Sequence, residues 1–188
     1  VVFAKSRNAR EKLVAQFRAR SPERAYLALV RGEVAQDAGT LRNRLELTKD
    51  GFRQRIVREG GTEAVSHFRV LERLPGVTLL EVRLDTGLKN QIRVQFRAFG
   101  HPLVGDRHYA SEESSETFLK RQALHARKLA FLHPATGKPV AFEAPLASDI
   151  ERLLERLRRM PARGTATPST SPPRPPRRNT APARRQGR

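Results

Sequence analysis

Residues 65–84, VSHFRVLERLPGVTLLEVRL, read as two strands folded back on one another. In the middle, Pro75-Gly76 is a turn dipeptide: proline presets one central φ of a β-turn, and glycine accepts the positive φ that can follow it. The arms, Val65 to Leu74 and Val77 to Leu84, are apolar and β-branched in alternation, and Leu80, Val82 and Leu84 line one face. Such a hairpin is antiparallel by construction. It needs a second layer to bury its apolar side, so the rest of the chain has to supply more strands or covering helices.

Outward from this hairpin the same pattern recurs. Arg24 to Val30 places Tyr26, Ala28 and Val30 on one side and Ala25, Leu27 and Leu29 on the other, so both faces are apolar and the strand is central. Leu45 and Leu47 alternate toward Asp50-Gly51, a hairpin signal, with Phe52 to Val57 returning. Leu124 to Leu132 and Val140 to Phe142 flank the turn Pro134-Ala135-Thr136-Gly137. Val1 to Ala4 reads as the middle of a buried strand.

Helices are marked by spacing. Ser6 caps one whose face carries Ala9, Leu13 and Phe17, ended by Ser21-Pro22. Ile92, Phe96 and Phe99 mark a second, with Asn90 as N-cap and Gly100 as its stop. In the last, Ser148 and Glu151 form a capping box before Ile150, Leu153, Leu154 and Leu157. The expected class is α+β: a mixed, largely antiparallel sheet with docked helices, forming one domain over residues 1–160.

The 188 residues carry a formal charge of +18 with a pI near 11.6, which favours a polyanionic partner, nucleic acid first. Apolar runs such as Ala25 to Val30 are too short to span a bilayer, so no membrane partner is expected. With no cysteine there is no disulfide and no thiolate metal site, which suits a cytoplasmic protein. The histidines, His67, His101, His108, His125 and His133, show no ligand spacing, and no metal is expected. Gly60-Gly61 lacks the lysine of a phosphate loop. From Pro161 to Arg188 there are seven prolines, seven arginines and no acidic residue, and a disordered basic tail is expected, either an RNA-binding arm or a solvated extension. The chain opens without methionine and is expected to be a fragment continuing upstream.

Arg93 falls in the first turn of its helix, where partial positive charge disfavours a cation unless an anion faces it. That anion is either a phosphate or a carboxylate. Tyr26 is one of two tyrosines and sits on an apolar strand, either as a core residue or as a site residue. Asp106 reads as a turn residue bonding nearby amides.

Taken together, the blocks FAKS, RAYLALVRG, TGLKNQIRV, GHPLVGDRHY, LHARKLAFLHPATGK and FEAPLASDI, in this order, resemble the RluA-type RNA pseudouridine synthase family over residues 1 to about 158. The resemblance implies isomerisation of uridine to pseudouridine in ribosomal or transfer RNA, through a base-flipped intermediate and without cofactor. It implies that Tyr26 packs on the flipped base and takes the C5 proton, and that Arg93 pairs with a catalytic aspartate. That aspartate belongs to a His-Arg-Leu-Asp run preceding the FAKS block, which this chain lacks, so the carboxylate opposite Arg93 is expected from outside it and the fragment itself is expected to be inactive. Lys89, Asn90, Gln91, Arg97 and Arg107 are the expected RNA contacts. Family members usually show Gly-Arg-Thr-His-Gln-Ile-Arg-Val-His; here Leu88, Lys89 and Asn90 replace Arg-Thr-His, and Gln95 replaces the last histidine. A monomer is expected. The rival reading is a noncatalytic RNA-binding or ribosome-assembly factor on the same scaffold. A DNA-binding basic domain is weaker, for want of any helix-turn-helix, zinc-finger or zipper pattern.

Overall fold

The computed structural model describes residues 2–109 and 119–161. Three helices and seven strands follow in the order α1 (Arg7–Arg18), β1 (Glu23–Arg31), β2 (Ala38–Leu47), β3 (Gln54–Val57), β4 (Thr62–Leu74), β5 (Val77–Leu84), α2 (Gln91–Ala98), β6 (Leu124–Leu132), β7 (Pro139–Glu143) and α3 (Ser148–Arg158). The strands form one sheet in the order β3-β2-β4-β5-β1-β6-β7, and every pairing in it is antiparallel.

The 65–84 hairpin is the β4-β5 pair, closed by Leu74 opposite Val77, with a register shift between Val70 and Glu72. β1 lies between β5 and β6, and Ala28, Leu29 and Val30 are fully buried there. A strand covered on both faces has to be apolar on both, which is what its sequence shows.

Those two faces carry two cores. Ala28, Val30, Phe68, Leu80 and Val82 pack with Ile92 and Phe96 of α2, and Tyr26 joins the margin of this cluster. On the other face Leu29, Val77 and Leu79 pack against Ile150, Leu153, Leu154 and Leu157 of α3. α1 is tied to the end of β6, because the Gln16 amide donates to the Leu132 carbonyl and accepts from its N–H, both at 2.8 Å.

Ser6 does cap α1, accepting from the Ala9 amide at 3.2 Å. The C-terminal stop of α2 is also as expected. Gly100, at φ +88°, lets its own N–H reach the Arg97 carbonyl and the His101 N–H reach Phe96, a Schellman closure.

Three local expectations fail. Ser148 is already helical, and Ala147, with no side chain to donate to, holds the cap position of α3. Asp149 instead accepts from the Ile150 amide and from Arg121. The segment Val2 to Ala4 forms no strand and pairs with neither sheet edge, and Phe3 is 85% exposed, since apolar residues that join no ladder leave their backbone groups to water. Asn90 sits at the N-cap of α2 but in the left-handed conformation, φ 55°, and makes no capping bond. The basic tail beyond Pro161 lies outside the described residues.

Candidate functional site

Two arrangements stand out, one around Arg93 and one around Tyr26. The first is built where α2 meets the loop after it. Arg93 donates from Nε to Asp106 Oδ2 and from Nη2 to Oδ1, both at 2.7 Å, in a forked pair. The side chains are 12% and 0% exposed. Nη1 donates to Asn90 Oδ1 at 3.1 Å, which explains why the Asn90 side chain is not spent on the helix cap. The Tyr109 ring lies under the guanidinium, 5.0 Å from centroid to Cζ.

Asp106 also accepts the amides of His108 and Tyr109, at 3.0 and 3.2 Å. Its local turn role is therefore real, but it has a second one: within this chain Asp106 is a carboxylate that faces Arg93, beside the one expected from the upstream run. Burial pushes the Asp106 carboxyl up, and the bonds and charge of Arg93 with the two amides outweigh it, leaving the group below the ordinary carboxylate range. The bond to Asp106 in turn raises the Arg93 guanidinium further, against the opposing effect of burial. Gly105 makes the approach possible. Its φ is +73°, and a Cβ there would collide with the Arg121 carbonyl.

The network continues outward from Tyr109, whose hydroxyl accepts from the Gln54 amide at 2.8 Å and donates to its carbonyl at 3.3 Å. Arg93 is thus joined, through two rings of contacts, to the β2-β3 hairpin.

Among the expected RNA contacts, Gln91 is misplaced. It is 2% exposed. Its carbonyl oxygen accepts from Thr86 Oγ1 and the Leu88 amide, and its Nε2 donates to the Val65 carbonyl and Ser66 Oγ. Ser66 Oγ donates to Gln95 Oε1 at 2.6 Å, and Gln95 Nε2 reaches the carbonyls of Leu41 and Ala64 and Oδ1 of Asn43. Both glutamines fasten α2 to β2 and β4, a role their polarity hides, because a buried amide is tolerated only where all its groups find partners. Lys89, Arg97 and Arg107 are exposed, and Asn90 is half-buried.

The second arrangement is an open cleft of about 710 Å³ over β1 and β6. Tyr26, Leu129, Phe131 and Phe142 line it, the two phenylalanines stacked at 5.9 Å. Val2 and Phe17 also line it, Arg24, Arg127 and Lys128 bring positive charge, and Glu143 adds one carboxylate, while Lys128 is paired with Glu23 at 3.2 Å. Arg24 donates from Nη2 to the Leu84 carbonyl at 3.4 Å, leaves no space for a side chain at Gly87, and has a buried Nε with no partner among the described residues. The Tyr26 hydroxyl makes no hydrogen bond there either. Tyr26 and Arg93 share a sheet face, since Tyr26 packs into the cluster that holds Ile92, and Arg93 is not among the described residues that line the Tyr26 cleft.

Among the described residues no group of three His, Asp or Glu side chains could hold a metal ion, and no helix is long and apolar enough to cross a membrane.

One antiparallel sheet with docked helices and an aromatic cleft over β1 and β6 defines an α+β domain. The same fold occurs in solved human proteins: human RNA pseudouridylate synthase domain containing 1 superposes with a TM-score of 0.66 at 25% identity, over 85% of this chain and 75% of that one. The chain belongs to the RNA pseudouridylate synthase family, whose model matches residues 1–98. It is 40% identical over 159 residues to an uncharacterized RNA pseudouridine synthase, YlyB, of Bacillus subtilis, covering 85% of this chain and 52% of that protein. It is 41% identical over 169 residues to ribosomal large subunit pseudouridine synthase D of Pseudomonas aeruginosa, covering 84% and 52%. The chain therefore spans about half the length of these relatives. The RluA-type resemblance read from the sequence holds.

Asp106, Tyr109 and Arg24 were not read from the sequence as parts of a site. Their only signals were weak: a glycine before an aspartate, and an arginine two residues before a tyrosine on the same strand face.

Proposed function

We propose that the protein is an RNA pseudouridine synthase of the cytoplasm, acting as a monomer on ribosomal or transfer RNA without metal or organic cofactor, and that the names of its relatives favour ribosomal RNA. The observation that carries this reading is the Tyr26 cleft: an aromatic, apolar floor with a basic rim, open to the surface, suits a uracil lifted from its stack while its phosphates stay at the rim.

In the isomerisation the N1–C1′ bond breaks, the uracil turns, a C5–C1′ bond forms, the C5 proton leaves and N1 gains a proton, so nothing is added or lost overall. Tyr26 is assigned to stack on the turned base and to accept the C5 proton; its uncommitted hydroxyl supports that role. The nucleophilic aspartate is assigned to residues preceding Val1. Val2 lines the Tyr26 cleft, and a few residues at about 3.3–3.6 Å each keep such an aspartate within reach of the base.

Of the five guanidinium N–H groups of Arg93, Asp106 and Asn90 take three. We assign the remaining two to orienting the catalytic carboxylate. Lys89, Asn90, Arg97 and Arg107 are assigned to RNA contact, without sequence readout.

The test is to incubate ribosomal and transfer RNA with a chain that includes the upstream aspartate run and to quantify pseudouridine after digestion to nucleosides. Formation of pseudouridine is expected in one RNA class. Tight RNA binding with no product would replace the enzyme with the noncatalytic RNA-binding reading.

A further inference from the structure

The sequence departs from its family's motif at Leu88, Lys89 and Asn90, and two of these residues reach one place, the tip of the β2-β3 hairpin. Lys89 Nζ donates to the Gly51 carbonyl at 2.9 Å and lies 5.7 Å from the centroid of the Phe52 ring. Asn90 Nδ2 donates to the Phe52 carbonyl at 3.1 Å. A third tie is the Tyr109 hydroxyl on the Gln54 backbone.

The tip itself is ordered by its own bonds. Asp50 Oδ1 accepts from Thr48 Oγ1 and from the Phe52 amide, and the Gly51 amide donates to the Thr48 carbonyl. Yet Phe52, in the turn between β2 and β3, is 72% exposed. A large aromatic left this exposed keeps most of its apolar surface available to a partner. The cations around it, Lys49, Arg53 and Lys89, are exposed as well.

We propose that Phe52, with Lys89 beside it, is a stacking platform for an unpaired RNA base outside the Tyr26 cleft. This rests on the pseudouridine synthase reading for the position of the base, and extends it to a second contact. An aromatic face flanked by exposed cations is the arrangement that holds single-stranded nucleic acid: the ring takes the base, and the cationic groups take the phosphates on either side. A protein partner is disfavoured, because the patch is one ring among like charges rather than a contiguous apolar area. Because Lys89 and Asn90 lead directly into α2, an RNA seated on Phe52 also bears on the end of the helix that carries Arg93.

The chain contains no tryptophan, so Phe52→Trp installs a single reporter. The probe is a labelled oligouridylate of about twelve nucleotides, within the usual single-strand site size, compared with a fully paired RNA duplex of the same length. Phe52→Ala is expected to weaken oligouridylate binding by about five- to a hundredfold, the range one stacked base provides, and duplex binding much less. Its salt dependence stays the same. Lys89→Ala flattens the salt slope by about 0.7, the value for one single-strand phosphate contact. Phe52→Trp retains affinity, and its emission is quenched at saturation. Unchanged affinity in Phe52→Ala, equal losses on duplex and single strand, or an unquenched tryptophan at saturation would each overturn the platform. Failure of the unsubstituted chain to bind either RNA would overturn the pseudouridine synthase reading together with it.

Discussion

Arg93 and Tyr26 sit on the same face of the sheet under opposite conditions. The guanidinium of Arg93 is enclosed, forked onto a fully buried Asp106, laid over Tyr109 and bonded to Asn90. Tyr26 opens into a cleft of about 710 Å³ with its hydroxyl uncommitted. A buried ion pair roughly offsets its own desolvation and gains little net stability, but it fixes geometry, and losing one partner is costly. An uncommitted hydroxyl contributes nothing to the fold and is free to move a proton. The contrast separates the part of the site that holds position from the part assigned to chemistry.

Substitutions should separate the two in that way. Tyr26→Phe is expected to lower pseudouridine formation by roughly 10²–10⁴-fold, the usual range for a lost general base, in a chain carrying the upstream aspartate run. Its unfolding free energy in urea should stay within about 0.5 kcal/mol of the parent, as for a half-buried residue that loses no hydrogen bond. Asp106→Ala reverses the pattern and strikes the fold: an uncompensated Arg93 is expected to destabilise by about 3–5 kcal/mol, read from the shift of the urea midpoint.

The same pair has a pH signature. Asp106 is held below its unfolded value near 3.9, so in acid the unfolded chain binds the proton more readily than the folded one. Its contribution is complete above that value and is lost as pH falls through the lower folded one. Stability measured by urea titration should therefore drop below about pH 4, and an Arg93→Ala/Asp106→Ala double variant should show a shallower drop. Gln95→Leu leaves the Ser66 hydroxyl and the Leu41 and Ala64 carbonyls without that partner, and about 1–3 kcal/mol is expected by the same urea measurement. Smallest is Tyr109→Phe, at about 1 kcal/mol, which removes the hydroxyl bridging the Gln54 backbone while keeping the ring under Arg93. If Tyr109→Phe instead cost as much as Asp106→Ala, the anchor would lie in the hairpin contact and not in the ion pair.

What the sequence revealed was local. The turns at Asp50-Gly51, Pro75-Gly76 and Pro134 to Gly137 and the 3.6-residue spacing of Ile150, Leu153, Leu154 and Leu157 are written in neighbouring residues, and the structure follows them. So is the two-sided apolar character of β1, which placed it mid-sheet. The Arg93–Asp106 pair is different in kind: it joins residues thirteen apart through a loop with no periodicity, and only the positive φ of Gly105 turns the carboxylate inward. Gln91 resembled a surface contact because glutamine is polar. Its burial depends on Thr86, Ser66 and Val65, which come from other elements. The Asn90 cap failed for a related reason, since its two amide atoms are taken by Phe52 and Arg93 before the helix can use them. Val2 to Ala4 had strand-forming residues but paired with neither edge strand, β3 or β7. For the candidate site, the family resemblance singled out Tyr26 and Arg93, whereas the environment of each could be seen only in three dimensions.

The central claim, that Tyr26 does the chemistry of uridine isomerisation, is tested most directly by mapping pseudouridine across cellular RNA after deletion of the gene, with restoration by the parent sequence or by Tyr26→Phe at matched protein levels. The account predicts that at least one uridine loses its pseudouridine signal on deletion, regains it with the parent sequence, and stays unmodified with Tyr26→Phe. A map unchanged by deletion, or one restored in full by Tyr26→Phe, would contradict it.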